Sequence, residues 1–543
     1  MKKFYSLILF LGLSISLSFA QERYLDEIFT DVTVTPDVTY GVNGTILFFG
    51  QVGEIVPEAL MMDIYEPEGD TEVDRPVVLV FHTGNFLPPV TNGQIPGTRQ
   101  DNSVVEFCTQ LARRGYVTAA VSYRLGWNPL APTQPERALG LIQAAYRGVQ
   151  DGRNAIRFIK TNADTYGIDE NNVTVLGLGT GGYLTLGLVG LSDYNEILTT
   201  TNGPTKFFLD VDMDGTVETP MVVEAFHGDI NGEVLTIAPT GVFGFPAGDT
   251  TNYANLVGVD NSFQLGINVG GALGDISWLA DNSTPTISIQ SPFDQFAPYN
   301  DAVLVVPTTG DPIVQVQGAQ QIGAAQEAAG NNQMWLDANF NDAITQTAMD
   351  NSATAGHPYY EGVFPFIRPA NSLGIDEGVV VDWWDENAPS PANGAGMGIP
   401  WNMLPHPAGG TFHTNGLLIN EGMGPEKARA NIADVMAYIL PRACVALELP
   451  CAANFTTSTR EVLLDTGMEI TPNPASQEVR VTVGGEYQII DMEVYDMTGK
   501  LVQNYQGVNA SEYVINRNNL TSGMYLVKAT FEEGVQTVKV LFE

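Results

Sequence analysis

Residues 177–182 read Gly-Leu-Gly-Thr-Gly-Gly, four glycines between an apolar run and a helical one. Glycines at this spacing let backbone segments approach closely and let the tip of a turn adopt a strained conformation. Gly179 stands at the middle of the run, with no side chain. The next hydroxyl, on Thr180, is expected to point elsewhere. Gly177-x-Gly179-x-x-Gly182 also satisfies a dinucleotide-binding spacing, but that fingerprint belongs to the first strand–helix unit of a fold, with an acid about 20 residues on. Here it sits after several such units. Acid–base chemistry has few candidates: the histidines are His82, His227, His357, His406 and His413. Asp294, in Ser291-Pro292-Phe293-Asp294-Gln295-Phe296, either orients a histidine or bonds its own turn. Asp210-x-Asp212-x-Asp214-Gly215 has the alternating carboxylates of the first half of a calcium loop, but Met221 stands where its glutamate would be. A structural calcium is one reading; an acidic turn is the other.

The elements that must position these residues follow from hydrophobic periodicity. Strands are expected over 61–65, 77–81, 117–123, 173–176, 264–269 and 286–290, with a further one over 333–336. Val77 to Phe81 is apolar throughout, as suits a strand buried on both faces. Helices are expected over 103–114, 138–163, from 183 onward, and over 425–439. Strands alternating with helices imply an α/β fold with a mostly parallel sheet flanked by helices. The polar, Gly- and Pro-rich stretches 202–260 and 338–410 read as lid-like insertions. After Cys451 the composition changes, and alternating strands over 479–483, 489–495, 513–515, 524–530 and 535–541 describe a small C-terminal antiparallel β-sandwich. Cys444 and Cys451 are close enough in sequence to pair, and Cys108 reads as an inert packed thiol. The expected organisation is 1–20, 21–445, a linker over 446–462, and 463–543.

The 543 residues include 62 acidic and 24 basic side chains, a net charge of −38. Nucleic acid and anionic membrane would both be repelled, so neither is expected as a partner. Lys2 and Lys3 precede an apolar stretch ending in Ser18-Phe19-Ala20, the layout of a signal peptide cleaved after Ala20. No other segment is long and apolar enough to span a bilayer, so the mature protein is expected outside the cytoplasm with no transmembrane segment.

Three segments resemble secreted α/β-hydrolases of the carboxylesterase and lipase type. They are Asp63-Ile64-Tyr65-Glu66-Pro67 with Val80-Phe81-His82-Thr83-Gly84; Gly115 to Arg124; and Tyr166-Gly167-Ile168-Asp169 leading into Gly177-Leu178-Gly179-Thr180-Gly181-Gly182. The resemblance implies an oxyanion hole built around His82, Thr83, Gly84 and Thr180. It makes residues 177–181 the nucleophile elbow, Gly-x-Ser-x-Gly in the family, with Gly179 at the nucleophile position and serine absent. It implies Asp294 as the acid and, from the order Ser…Asp…His, His413 as the base, with His357 the alternative. An ester or a related small molecule is the implied ligand, and no cofactor is required. A pseudohydrolase that binds without cutting is the competing reading, because loss of the serine leaves only the modest rate gain of the oxyanion hole and binding. The tail, with Pro472-Asn473-Pro474, Asp496-Met497-Thr498-Gly499-Lys500 and Leu520-Thr521-Ser522-Gly523-Met524-Tyr525, resembles the sorting domain of the type IX (Por) secretion system. That implies export through the periplasm to the surface or medium, with the secretion machinery as partner.

Overall fold

The structure is a computed structural model. It describes residues 21–200, 205–210, 216–280, 284–305, 310–374, 376–378, 381–391, 398–456, 466–485, 487–496, 500–531 and 535–543. The proposed leader, residues 1–20, lies outside them. The chain divides into two compact units, one running through Phe455 and one beginning at Thr456.

The first unit is built on an eight-stranded sheet. Its strands are β1 (Val32–Thr45), β2 (Val56–Pro67), β3 (Arg75–Phe81), β4 (Val117–Val121), β5 (Ile168–Leu178), β6 (Leu265–Val269), β7 (Thr286–Gln290) and β8 (Val363–Pro365). Their order across the sheet is β1-β2-β4-β3-β5-β6-β7-β8. β1 and β2 join antiparallel, and the six strands from β4 onward are parallel. The helices that cover it include α1 (Asn102–Arg113), α2 (Gln134–Thr161), α3 (Thr180–Gly190) and α4 (Pro425–Ala446). β3 shows why a wholly apolar run was needed. Val78 and Val80 pack into one core with Val104 and Phe107 of α1 and Ile432 and Val435 of α4. Val77, Leu79 and Phe81 pack into the other with Val149 and Ile156 of α2 and Leu184 of α3. Because strand side chains alternate, a strand between two helix layers must be apolar at every position.

α2 begins earlier than its apolar periodicity suggests, because Thr133 and Glu136 form a capping box ahead of Ala138. It also carries Asp151, which is fully buried and paired with the buried guanidinium of Arg124 at 2.9 Å. That pair ties the chain leaving β4 to α2. The expected strand over 333–336 is instead part of a helix, Gln333–Ala338. One buried anchor, Trp335, holds it, donating its indole N–H to the Arg442 carbonyl at 2.8 Å. A short apolar run carries too little periodicity to separate the two states. β8 and a helix over Ala343–Thr354 lie inside the stretch read as an insertion. A ribbon pairing Asp301–Val305 with Pro312–Gln317 was also unforeseen.

Cys444 and Cys451 form a disulfide with Cα atoms 5.6 Å apart, while Cys108 is buried and free. Leu447, Leu449 and Cys451 are buried in the core of the first unit. Much of the stretch expected to be linker is therefore packed structure. The second unit is a small antiparallel sandwich. One sheet has three strands, Glu469–Thr471, Glu478–Thr482 and Glu512–Asn516; the other has four, Leu501–Tyr505, Asp491–Asp496, Gly523–Thr530 and Val535–Phe542. Val479, Val481, Met492, Val494 and Val527 fill its core, each fully buried. Among the described residues, no helix is long and apolar enough to cross a membrane.

Candidate functional site

The glycine turn sits where the central strand β5 hands over to α3. Gly179 lies between Leu178 and Thr180 with φ 53° and ψ −111°, a conformation that side chains resist. Its N–H donates to the Val269 carbonyl of β6 at 2.8 Å, and its carbonyl accepts from Gly182. The flanking glycines are there for space. A Cβ on Gly177 would overlap the Gly181 carbonyl, and one on Gly181 would overlap the Phe81 carbonyl at the end of β3. The strand and helix can meet this closely only without side chains.

Opposite the tip runs the loop after β3. Gly84, Asn85 and Phe86 are three consecutive residues with positive φ, so the loop is held in a strained curl against the turn. The Asn85 N–H donates to the Thr180 hydroxyl at 2.6 Å, which turns that hydroxyl toward the loop. The Thr83 hydroxyl lies in the space a side chain at position 179 would occupy, with Thr83 Cβ only 3.0 Å from the position of such a Cβ. The Thr180 N–H, aimed across the turn, reaches that same hydroxyl at 3.4 Å. A threonine hydroxyl thus fills the spot between the elbow tip and the helix N-terminus.

Asp294 stands on the far side of the pocket, on the loop after β7. One carboxylate oxygen accepts the N–H groups of Phe296 and Ala297 at 2.7 and 3.1 Å; the other comes near Gly270, beside the tip. Burial pushes its carboxyl up to about 7, although both N–H bonds pull the other way. Thr83, Asn85, Gly179, Thr180, Tyr183 and Asp294 share the lining of one pocket, about 700 Å³ of empty space partly open to solvent. A second carboxylate, Asp382, lines it too; it is buried, accepts the Ser103 hydroxyl at 2.5 Å, and burial raises it as well.

No histidine lines this pocket. His82 adjoins Thr83, but its ring stacks on Tyr123 at 4.5 Å inside the protein. Its Nδ1–H donates to the Thr83 carbonyl at 2.5 Å, and burial lowers it to about 4. His227 is buried among Tyr146, Phe226 and Phe243, lowered to about 3 by the same cause. His357 Nε2 accepts from the Asn300 amide at 2.8 Å. His406 Nε2–H donates to the Gly93 carbonyl at 3.1 Å, and its Nδ1 accepts from the Ala408 N–H at 3.1 Å. His413 lies in a separate cleft with Trp383, Trp384, Asp385 and Glu386. Trp384 can only donate, so its indole N–H at 3.2 Å fixes Nδ1 of His413 as the bare nitrogen, and Nε2 faces Glu386 at 2.8 Å. Both nitrogens are engaged, and neither partner is Asp294.

The structure therefore gathers Gly179, Thr180, Thr83 and Asp294, and leaves His413 and His357 away from them. Gly84 curls beside this group but does not itself line the pocket, and His82 faces the core. Of the calcium candidates, Asp212 and Asp214 lie outside the described residues. Asn85, Tyr183 and Asp382 were missed. Asn85 directly follows the Thr83-Gly84 pair and could have been found by extending that loop. Asp382 follows β8, a three-residue strand with no periodic signal of its own.

The BD-FAE family matches residues 62–306, a span that holds Gly179 and Asp294 and ends before His357. Residues 62–306 thus carry a domain of an α/β-hydrolase esterase family. The secretion system C-terminal sorting domain family matches residues 469–543, and this α/β-hydrolase is exported by type IX secretion to the cell surface or beyond. Among curated proteins, the neuroligin-like protein glit-1 of Caenorhabditis elegans is 32% identical over 127 residues, 23% of this chain and 15% of that one. Bile salt-activated lipase of Homo sapiens is 29% identical over 167 residues, 30% of this chain and 19% of the lipase. The chain thus spans less than a fifth of either relative's length. Among solved structures, a truncated carbohydrate esterase from gut microbiota is 11% identical with a TM-score of 0.26, covering 56% of this chain and 86% of that one. A bacterial heroin esterase is 26% identical with a TM-score of 0.19, covering 30% and 39%.

Proposed function

We propose that this α/β-hydrolase is an exported binding protein, a pseudohydrolase that uses the elbow pocket to hold an ester or related small molecule without cutting it. Gly179 stands at the nucleophile position, and Asp294 is the retained acid of a site with no base. The observation that carries the reading is the Thr83 hydroxyl lying in the side-chain space of Gly179. A serine there would need that space for its own Oγ, and an oxyanion would need the N–H of Thr180 that the same hydroxyl approaches. The engagement of both His413 nitrogens by Trp384 and Glu386 supports it further, since a general base must reach the proton it takes. Residues 1–20 act as the leader for the first export step, and the tail serves the second.

Two measurements test this. The full chain is treated with a fluorophosphonate probe and assayed on a panel of p-nitrophenyl esters; no covalent adduct and no turnover above background are expected. Stoichiometric labelling of any serine or threonine of the pocket would overturn the reading. Deleting Leu463 to Glu543 should leave a folded protein that stops in the periplasm, and its undiminished arrival in the medium would refute the role of the tail.

A further inference from the structure

Beside the elbow pocket lies a second cavity, about 1010 Å³ of empty space that is partly open to solvent. Its walls come from α2 (Ile142, Val149), α3 (Leu184), the first insertion (Phe207, Val222) and Trp278. Four of the polar side chains that reach it are engaged elsewhere. The indole N–H of Trp127 donates to the Asn85 carbonyl at 2.7 Å, and that of Trp278 to the Glu196 carbonyl at 3.0 Å. The Tyr146 hydroxyl donates to the Gly228 carbonyl at 2.9 Å, and the Tyr183 hydroxyl to the Phe296 carbonyl at 3.0 Å. Away from the Asn85 and Thr180 end, a charged or strongly polar ligand atom inside would give up its hydration and find no free partner among these groups. The space suits a hydrocarbon or aromatic body.

The two cavities share a wall made by Asn85, Thr180, Tyr183 and Phe296. On the elbow side of that wall are the carboxyl groups of Asp294 and Asp382, and among the described residues no Lys, Arg or His lines either cavity. Above about pH 7, where Asp294 is ionised, an anionic head group would therefore meet its carboxylate and no cation, in a chain whose net charge is −38. A head that donates hydrogen bonds would meet acceptors: the second oxygen of Asp294 and the hydroxyl of Thr83.

We infer that the two cavities together bind an amphiphile whose apolar body fills the larger one and whose neutral or cationic hydrogen-bond-donating head, an alcohol, amide or amine, rests in the elbow pocket against Asp294. This rests on the reading that the pocket binds without cutting, and it excludes a fatty carboxylate as the ligand.

The test uses the full chain at pH 8.5, where Asp294 is ionised, and three probes of one chain length, decylamine, decanol and decanoate, each below its micellar concentration. Binding is followed through the fluorescence of Trp127 and Trp278, and by calorimetry. Decylamine and decanol should saturate, with decanoate at least about tenfold weaker. Asp294→Asn should weaken decylamine by about tenfold and bring it close to decanoate. Ala145→Phe, which places a ring in the larger cavity, should weaken all three while leaving the thermal midpoint within a few degrees. Decanoate binding as tightly as decylamine would overturn the inference, as would saturable binding untouched by Ala145→Phe, or no saturable binding by any probe. Turnover of p-nitrophenyl decanoate would overturn the non-cutting reading instead, and the head-group preference would still be read from the three probes, none of which contains an ester.

Discussion

On the function proposed above, the glycine turn at 177–182 and the cleft around His413 hold complementary fragments of hydrolytic machinery. The turn has the backbone of a nucleophile elbow without a nucleophile. The cleft has a histidine–carboxylate pair, His413 with Glu386, and no elbow beside it. The contrast shows how differently the two kinds of geometry are maintained. The turn is enforced by many close contacts: Gly177 on Gly181, Gly181 on Phe81, Gly182 on Asn268, and the Gly179 N–H on Val269. Each is also part of how the turn and α3 pack against β5 and its neighbours β3 and β6, so the shape persists as long as the fold does. An acid–base constellation hangs on one or two side chains from separate loops, and nothing in the core requires them to converge.

The largest expected effect tests the rigid side of this contrast. Gly181→Val would drive a side chain into the Phe81 carbonyl of β3, and backbone has nowhere to go. Urea unfolding should show a loss of about 3 kcal/mol or more, or no folded protein at all. A loss under about 1 kcal/mol would mean that the turn is softer than its packing implies.

Gly179→Ser comes next. Its cost should be about 1–3 kcal/mol, from the positive φ and from displacing the Thr83 hydroxyl. Adding Thr83→Ala should recover about 1 kcal/mol of that by removing the overlap, a coupling that a double-mutant cycle reads directly. Neither variant should hydrolyse a p-nitrophenyl ester, because no histidine lines the pocket. Hydrolysis by the double variant, abolished by His413→Ala, would show that the cleft and the turn can still be brought together.

A pH series sharpens the comparison at smaller amplitude. Asp294 and Asp101 are both raised by burial to about 7. For an acid raised in the folded state, the native protein holds the proton that the unfolded chain has released, so stability falls as pH rises between the two values. The urea midpoint should therefore drop from about pH 4 to about pH 7. Asp294→Asn should flatten part of that slope, and an unchanged slope would place the titration elsewhere. Smallest is His413→Ala, which removes a half-exposed contact with Glu386. It should cost no more than about 1 kcal/mol and leave decylamine binding unchanged. A large loss of binding would mean that the cleft and the elbow pocket act as one site.

Much of this was readable in the sequence. The strands at 77–81, 117–121, 265–269 and 286–290, the long helix α2 and the sorting tail announce themselves by apolar runs and periodicity. So does Gly179, because a missing side chain is visible wherever the surrounding pattern is known. The chain by itself thus determined the fold class and the export tail, and it placed a glycine at the tip of the turn. Only the tertiary structure decided what stands in the place of a side chain there. The curl at Gly84–Phe86 that carries the Thr83 hydroxyl to the tip, the Trp384 indole that locks His413, and the wall shared by the two cavities all join residues tens to hundreds of positions apart. Local patterning encodes which element a residue joins, whereas the meeting of two loops depends on the whole sheet that carries them.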